Sequence, residues 1–174
     1  MCVSISHTTR PRRTGEIEGV NYHFIAQDDF LQKVAHNQFL EHAQVFDHYY
    51  GTSQPWVVQQ LKKGIDVVLE IDWQGALQVR KLKPDCISIF VLPPSRAALE
   101  QRLQQRGQDS DAVIARRMDQ AIDELTHYIE FDYLIVNDQF DVALRDLQSI
   151  VHSQRLTHRI QAQKQENLLK SLLA

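Results

Sequence analysis

The feature of this sequence that most constrains its fold is an alternation of short apolar runs with longer stretches of helical periodicity. Two of the runs, residues 67–71 and 87–92, lack regular polar alternation, which is typical of strands buried on both faces of a parallel sheet. Because strand and helix patterns alternate along the chain, we predict an α/β fold. The predicted strands are residues 2–6, 67–71, 87–92 and 133–136, and the predicted helices are residues 73–82, 95–106, 111–128 and 141 onward.

Length and composition favour a single globular domain over residues 1–174, with 43% hydrophobic and 24% charged residues. No apolar run approaches the roughly 20 residues that cross a bilayer, and the start does not resemble a secretory signal, so we expect a cytoplasmic protein without a membrane partner. Two cysteines without CxxC spacing argue against a disulfide scaffold and against zinc. The net charge of −3 argues against a general nucleic-acid binder. Monomeric and homo-oligomeric states both stay open.

Residues 15–52 interrupt the alternation. Short strand patterns at residues 21–25 and 41–46 flank a helical pattern at residues 27–37, which predicts a small α+β insertion. Ligands of open α/β sheets bind beyond the carboxyl ends of the strands, where an insertion can supply specificity. We therefore interpret residues 15–52 as a candidate substrate lobe.

Arginines occur in two clusters. Arg10, Arg12 and Arg13 follow the first predicted strand together with hydroxyl side chains, a combination that suits a phosphate group, although a surface turn broken by Pro11 is an equally good interpretation from residue type alone. The second cluster belongs to the two helical patterns within residues 95–128, the first of them with Ser95 as its predicted N-cap. It could form a lid, but composition alone favours a solvated cationic face. Its members are Arg96, Arg102, Arg106, Arg116 and Arg117.

Three acidic residues lie at positions that suit a binding site. Glu41 follows two apolar residues, so its carboxylate could face a half-buried cavity and accept paired N–H donors such as those of guanine, although a solvated glutamate is the commoner case. Glu70 and Asp72 end a predicted strand at alternate positions, where such acids can bind magnesium directly or through water. A pair that favours a helix N-terminus is the alternative. Tyr22 and a predicted turn at residues 49–52 add phenolic hydroxyls.

Seven motifs, in order over residues 3–151, resemble the guanylate kinase family. They are Ser6-x-Thr8-Thr9-Arg10-x2-Arg13-x-Gly15-Glu16, Gly19-x-x-Tyr22-x-Phe24, Phe39-Leu40-Glu41-x-Ala43, Tyr49-Tyr50-Gly51-Thr52, Leu69-Glu70-Ile71-Asp72-x-Gln74-Gly75, Pro93-Pro94-Ser95 and Val136-Asn137-Asp138. Each motif is weak alone, but coincidence does not explain their shared order. The resemblance implies a P-loop-kinase-like parallel sheet with flanking helices, a GMP-binding insertion and a helical lid.

The resemblance also implies phosphoryl transfer from ATP, with Mg²⁺, to GMP, and it assigns residues to that reaction. Ser6, Glu41 and Thr52 read the guanine, with Asp72 as a further candidate, and the phosphate is held by two arginines and two tyrosines. The implied GMP-binding residues are Ser6, Arg10, Arg13, Tyr22, Glu41, Tyr50, Gly51, Thr52, Glu70, Asp72 and Gly75. The implied catalytic residues are Arg10, Arg102, Arg106 and Arg117, and the implied ATP-binding residues are Arg102, Arg106 and Asn137. No direct metal ligand is implied, although Glu70 or Asp72 could reach Mg²⁺ through water.

One family element has no counterpart in these 174 residues. Guanylate kinases begin with a strand, a phosphate loop ending in Gly-Lys-Ser/Thr and a helix, but this sequence has no Gly-Lys dipeptide, and its six glycines never stand five residues apart. We therefore expect that the strand, loop and helix are missing through a misplaced start or a truncated gene, and that ATP binding and catalysis are impaired.

Two alternatives remain open. The first is a catalytically inactive guanylate-kinase-like interaction module that binds GMP or phosphopeptides, which the missing loop favours and the full set of GMP residues disfavours. The second is a nucleic-acid binder that uses the early arginines, which conflicts with the acidic charge balance. Residues 154–174 are predicted to be a helical tail that packs on its own domain or on another subunit.

Overall fold

The computed structural model describes residues 1–105 and 111–174. Its contacts divide the chain into two compact units, Met1–Ile87 and Ser88–Ala174, which are described in turn. Within the described residues, no helix has both the length and the apolar character that a membrane span requires. The predicted division into a substrate lobe, a lid region and a tail stays a prediction.

The first unit contains two sheets and three helices. Strand β1 pairs in parallel with β6, and the second sheet has the strand order β3-β2-β5-β4. The elements are β1 (Cys2–Val3), β2 (His7–Thr8), β3 (His23–Phe24), α1 (Gln27–Ala35), β4 (Phe39–Val45), β5 (His48–Ser53), α2 (Gln54–Lys62), β6 (Val67–Val68) and α3 (Trp73–Leu82).

Helices α2 and α3 of this unit both begin at a side-chain cap. The Ser53 hydroxyl accepts the backbone N–H of Trp56 at 3.4 Å, and Asp72 Oδ1 accepts the N–H of Gly75 at 2.9 Å. Such caps satisfy donors that have no partner within the helix. The core beneath the helices is centred on Leu40, Val57 and Val79, one residue from each of β4, α2 and α3.

Aromatic packing joins α1 to the four-stranded sheet. Phe30 of α1 is fully buried, and its ring stacks on Phe39 of β4 at 4.5 Å and on Tyr49 of β5 at 5.5 Å between centroids. Gly51 of β5 is required below these rings, because a Cβ there would lie 3.0 Å from Phe39 and 3.1 Å from Phe30. The close contact holds α1 against β4 and β5.

The second unit places two parallel strands among helices. Strands β7 and β8 pair in register from Ile89 opposite Tyr133 to Leu92 opposite Val136. The elements are β7 (Ile89–Leu92), α4 (Arg96–Gln105), α5 (Asp111–Thr126), a 3-10 turn (His127–Glu130), β8 (Tyr133–Val136), α6 (Phe140–Arg155), α7 (His158–Lys164) and α8 (Glu166–Leu173).

A buried serine anchors the start of the strand pair. The carboxylate of Asp132 accepts the backbone N–H of Ser88 at 2.8 Å and its hydroxyl at 2.6 Å. The Ser88 carbonyl in turn accepts the N–H of Asp132 and of Tyr133, each at 3.1 Å. These bonds tie together the two residues that precede β7 and β8.

Sequence and structure agree on the α/β class, with parallel strand pairs and flanking helices. The bounds predicted for α3 and β8 are confirmed, and so is the Ser95 cap of α4, whose hydroxyl accepts the N–H of Ala98 at 3.1 Å. The turn predicted at residues 49–52 is wrong. Those residues lie in β5, which is paired on both sides, and the chain reverses instead at Phe46, whose φ is 56°. Helix α2 was not predicted.

Candidate functional site

One face of the four-stranded sheet carries several of the predicted GMP residues. The strand register sets Glu41 opposite Thr52, and it sets Ala43 and Thr8 opposite Tyr50. Residues two apart in a strand point to the same face and lie about 7 Å apart. Strand β5 therefore presents Thr52 and Tyr50 to the same side, one beside Glu41 and one beside β2.

Glu41 is a buried acid with a single short hydrogen bond. Glu41 is 3% exposed, and the hydroxyl of the fully buried Thr52 donates to its Oε1 at 2.5 Å. The pKa of Glu41 is raised to about 7, mainly by burial and also by the nearby charge of Asp72, while hydrogen bonds from Thr52 oppose the rise. When ionised, this carboxyl group can accept hydrogen bonds from a ligand that offers N–H donors.

Gly75 allows α3 to approach this acid closely. A Cβ at position 75 would lie 2.6 Å from Oε2 of Glu41 and 3.2 Å from the Cβ of Ile71, so no larger residue fits without displacement. Asp72 sets the position of this first helical turn, because its Oδ1 accepts the Gly75 N–H at 2.9 Å and its Oδ2 accepts the Gln74 amide at 3.2 Å. Asp72 therefore acts here as a helix cap, and Gly75 as a spacer beside Glu41.

Arg10 follows β2 and is held by an ion pair. Arg10 is 9% exposed. Nη2 donates to Oε1 of Glu16 at 2.5 Å, and Nη1 donates to Oε2 at 3.1 Å and to the carbonyl of Pro11 at 2.7 Å. Hydrogen bonding from Arg10 holds the pKa of Glu16 below its ordinary value; burial opposes this effect, and the Arg13 N–H adds to it.

Two tyrosines surround the same guanidinium group. The Cζ of Arg10 lies 5.4 Å from the centre of the Tyr22 ring, and the rings of Tyr22 and Tyr50 are 6.0 Å apart. Burial lowers the pKa of Arg10, but hydrogen bonds and charge from Glu16, with a further contribution from Tyr50, raise it on balance. Arg10 is therefore a cation at any physiological pH, next to two phenolic groups.

The other predicted residues of the first unit differ in their contacts and in their exposure to solvent. The N–H of Arg13 donates to Oε2 of Glu16 at 2.7 Å, and its half-buried guanidinium has no hydrogen bond to another described residue. Ser6 accepts the N–H of His23 through its backbone carbonyl at 2.9 Å. Gly51 packs against aromatic rings, as described above, and Glu70 is exposed.

Two of the residues predicted for ATP and catalysis meet in the second unit. The exposed Arg102 of α4 donates from Nη2 to the carbonyl of Asn137, just after β8, at 2.8 Å. Arg117 of α5 is half-buried, and Arg106 lies outside the described residues. An apolar cavity of about 160 Å³ lies between α4 and α5, lined mainly by Leu92, Leu99, Met118 and Leu125. It contains none of the predicted site residues.

Glu16 is the functional candidate that sequence reasoning missed. It stands six residues after Arg10 and three after Arg13, and that spacing on a turn with Gly15 at φ 86° was the available signal. For metals, the described side chains contain no group of three or more His, Cys, Asp or Glu that could hold an ion.

Comparison with known proteins agrees with the motif order. A family model described as "Guanylate kinase" matches residues 1–154. Guanylate kinase from Methylococcus capsulatus is 57% identical over 99% of this chain and 85% of its own length, and that from Vibrio cholerae is 54% identical over 100% and 84%. The crystal structure of guanylate kinase from Anaplasma phagocytophilum superposes with a TM-score of 0.79 at 30% identity, covering 90% of this chain and 77% of that one.

These matches cover both compact units, at high identity and over most of each relative's length. They do not confirm the predicted absence of a first strand, phosphate loop and helix, which stays a prediction. The order of motifs agrees with the similarity to these relatives, and with a sheet that carries Glu41 and is followed after β2 by Arg10. The chain therefore belongs to the guanylate kinase family.

Proposed function

We propose that this chain binds GMP and serves the transfer of a phosphoryl group from ATP to GMP, giving ADP and GDP. The observation that carries the proposal is a shared sheet face. On this face the buried acid Glu41 lies opposite Thr52, and Tyr50, two residues before Thr52 in β5, lies near Arg10. Such a face offers acceptors for a purine edge at one end and donors for a phosphate at the other.

The base would be read by Glu41. Its carboxylate can accept the N1–H and N2–H donors of guanine, while Thr52 holds Oε1 in place and Ser6 directly precedes β2, which pairs with β5. Adenine has no matching pair of donors, so AMP would leave the buried carboxylate with the Thr52 hydrogen bond alone and none from the base. We therefore expect strong preference for GMP over AMP.

The phosphate would be held by Arg10 and Arg13 with the hydroxyls of Tyr22 and Tyr50. Guanidinium groups bind phosphate oxygens with two parallel hydrogen bonds, and phenols add donors without adding charge. Arg10 is placed among these tyrosines. Arg13 adds a guanidinium group that makes no hydrogen bond to another described residue.

Transfer would be an in-line attack by a phosphate oxygen of GMP on the γ-phosphorus of ATP, without a covalent intermediate. Arg102, Arg106 and Arg117 would stabilise the charge on the transferring group, and Asn137 would lie on the adenine side. Mg²⁺ bound with ATP would neutralise the phosphates. Glu70 is the better candidate for a water-mediated contact with Mg²⁺, because both carboxylate oxygens of Asp72 are already engaged by α3.

We propose further that these 174 residues bind GMP but need an upstream phosphate loop to use ATP. The sequence has no Gly-x4-Gly-Lys-Ser/Thr motif. Among the described residues, the two sheets that are wholly parallel, β1–β6 and β7–β8, have two strands each, and Val3, Val91 and Val136 are more than half exposed. Parallel sheets are normally larger and covered on both faces, which supports a place for another strand in each.

The test is an ADP-release assay with ATP and GMP, run on this chain and on a version extended upstream, together with calorimetric binding of GMP and AMP. We expect GMP-selective binding by both proteins and turnover by the extended one alone. Turnover by both would refute the need for the loop. Equal binding of GMP and AMP, or turnover by neither, would favour the inactive interaction module.

A further inference from the structure

We infer that Glu16 is a positioning residue that presents Arg10 and Arg13 to the phosphate of GMP. The inference rests on the proposed function and adds to it a residue that binds no substrate. It is drawn from the ion pair between Glu16 and Arg10, from the hydrogen bond between Glu16 and the backbone of Arg13, and from the donors that these contacts leave free.

A guanidinium group has five N–H donors, and three of those on Arg10 are occupied. Both N–H groups of Nη1 are used, by Glu16 and by the carbonyl of Pro11, and one N–H of Nη2 is used by Glu16. The remaining two, on Nε and Nη2, lie on the same edge of the planar group. A phosphate can therefore meet Arg10 with two parallel hydrogen bonds along one edge only.

That free edge is placed among the groups proposed to hold the phosphate. The guanidinium lies close enough to the Tyr50 side chain for the tyrosine to raise the pKa of Arg10, and the Tyr22 ring lies 5.4 Å from its Cζ. By occupying the end of the guanidinium, Glu16 fixes its rotation, so the free edge is held in one direction before the ligand arrives. Pre-ordering of this kind reduces the entropy lost on binding.

The same carboxylate also fixes Arg13. Oε2 of Glu16 accepts the Arg13 backbone N–H at 2.7 Å and the Nη1 of Arg10 at 3.1 Å, so one oxygen joins the two arginines. Glu16 offsets one positive charge, and the guanidinium of Arg13 supplies the net charge that a phosphate needs. An opposite role, in which Glu16 competes with the phosphate for Arg10, makes the opposite prediction for removal of its charge.

The experiment is calorimetric titration of the 174-residue chain with GMP and with guanosine, which lacks the phosphate. The variants are Glu16→Gln, Glu16→Asp and, as a matched control, Glu18→Gln. Glu18 lies in the same turn and binds the N–H of Phe24 at 2.8 Å, but it contacts neither arginine.

We expect Glu16→Gln to weaken GMP binding about tenfold, because it exchanges a charged hydrogen-bond pair for a neutral one. Guanosine binding should stay within about twofold of wild type, since the base end is independent. Glu16→Asp keeps the charge and should recover part of the GMP affinity, while Glu18→Gln should leave both affinities unchanged.

Unchanged or tighter GMP binding by Glu16→Gln overturns the inference. If Glu16→Gln does not fold, Glu16→Asp decides: selective loss of GMP affinity supports the inference, and equal loss of both ligands refutes it. Wild-type protein that binds guanosine as tightly as GMP overturns the inference while the guanine site stands. Wild-type protein that binds neither ligand refutes the proposed function as well.

Discussion

The hydroxyl of Thr52 donates a 2.5 Å hydrogen bond to the carboxyl group of Glu41 in a part of the first unit that solvent does not reach. Adjacent strands bring the two residues together, and Gly75 leaves room for the second carboxyl oxygen.

The first prediction concerns stability against pH. Burial raises the pKa of Glu41 to about 7 in the folded protein, against 4.5 in the unfolded chain. Between these values the unfolded state has released the proton and the folded state has kept it, so stability present below pH 4.5 is lost as pH rises to 7. The loss should reach about 3 kcal/mol. Urea unfolding across this range measures it, and Glu41→Gln should lack this component.

The second prediction concerns the pH dependence of base recognition. Only the ionised carboxylate can accept both N–H donors of guanine, so guanosine affinity should fall about tenfold for each pH unit below 7. Guanosine is used because the phosphate of GMP titrates near pH 6. Calorimetric titration from pH 5.5 upward provides the measurement. A flat profile for the wild type would contradict the role of Glu41, and Glu41→Gln should bind weakly at every pH.

Replacement of Gly75 by alanine is the third prediction. In an open helix, alanine would stabilise by about 1 kcal/mol, but here its Cβ would lie 2.6 Å from Oε2 of Glu41. We expect a net loss of about 1–3 kcal/mol of unfolding free energy and a loss of guanosine affinity. The double variant with Glu41→Asp shortens the acid and should recover part of the stability in thermal unfolding. No recovery would show that the contact with Ile71 dominates.

The fourth prediction belongs to the second unit. Asp132 accepts two hydrogen bonds from Ser88, a residue 8% exposed, at 2.8 and 2.6 Å. Asp132→Ala leaves the Ser88 N–H and hydroxyl without this acceptor and should cost about 1–3 kcal/mol. Ser88→Ala removes only the hydroxyl, which donates to the Asp132 carboxylate and accepts the Asp132 N–H, and should cost about 1 kcal/mol. Chemical denaturation compares the two variants. Equal losses would show that the hydroxyl, and not the backbone N–H, is the important partner.

The sequence predicted those elements whose local signals agree with their tertiary contacts. Helix α3 combines the Asp72 cap with a buried stripe that includes Val79, and its bounds were predicted correctly. Helix α2 has comparable local signals, with Ser53 as its cap, Pro55 in its first turn and Gly64 beyond its end. Its apolar periodicity is weak, however, because Val57 is its single buried position. Local capping signals are present in α2, but its apolar periodicity is too weak to predict a helix.

The residues of the site could be predicted from their types and positions in the sequence, but the hydrogen bonds between them could not. Glu41 and Arg10 were identified as functional candidates, but their partners Thr52 and Glu16 depend on strand pairing and on a turn. Asp72 was predicted to meet a ligand or metal, with a place at a helix N-terminus as the alternative; its carboxylate caps α3, and the ligand role stays a prediction. Sequence patterns indicate which chemistry is available, and only the folded chain shows which group has already found a partner.

The length of the hairpin turn between β4 and β5 determines whether Glu41 and Thr52 face each other. The reversal between β4 and β5 has two residues, and Phe46 adopts a left-handed conformation that bulky side chains rarely occupy. A single-residue insertion or deletion at this reversal would shift the pairing and turn alternate side chains to the opposite face. Glu41 and Thr52 would then be separated by a change of chain length outside the pocket, so the base specificity of the protein depends on the length of a surface loop.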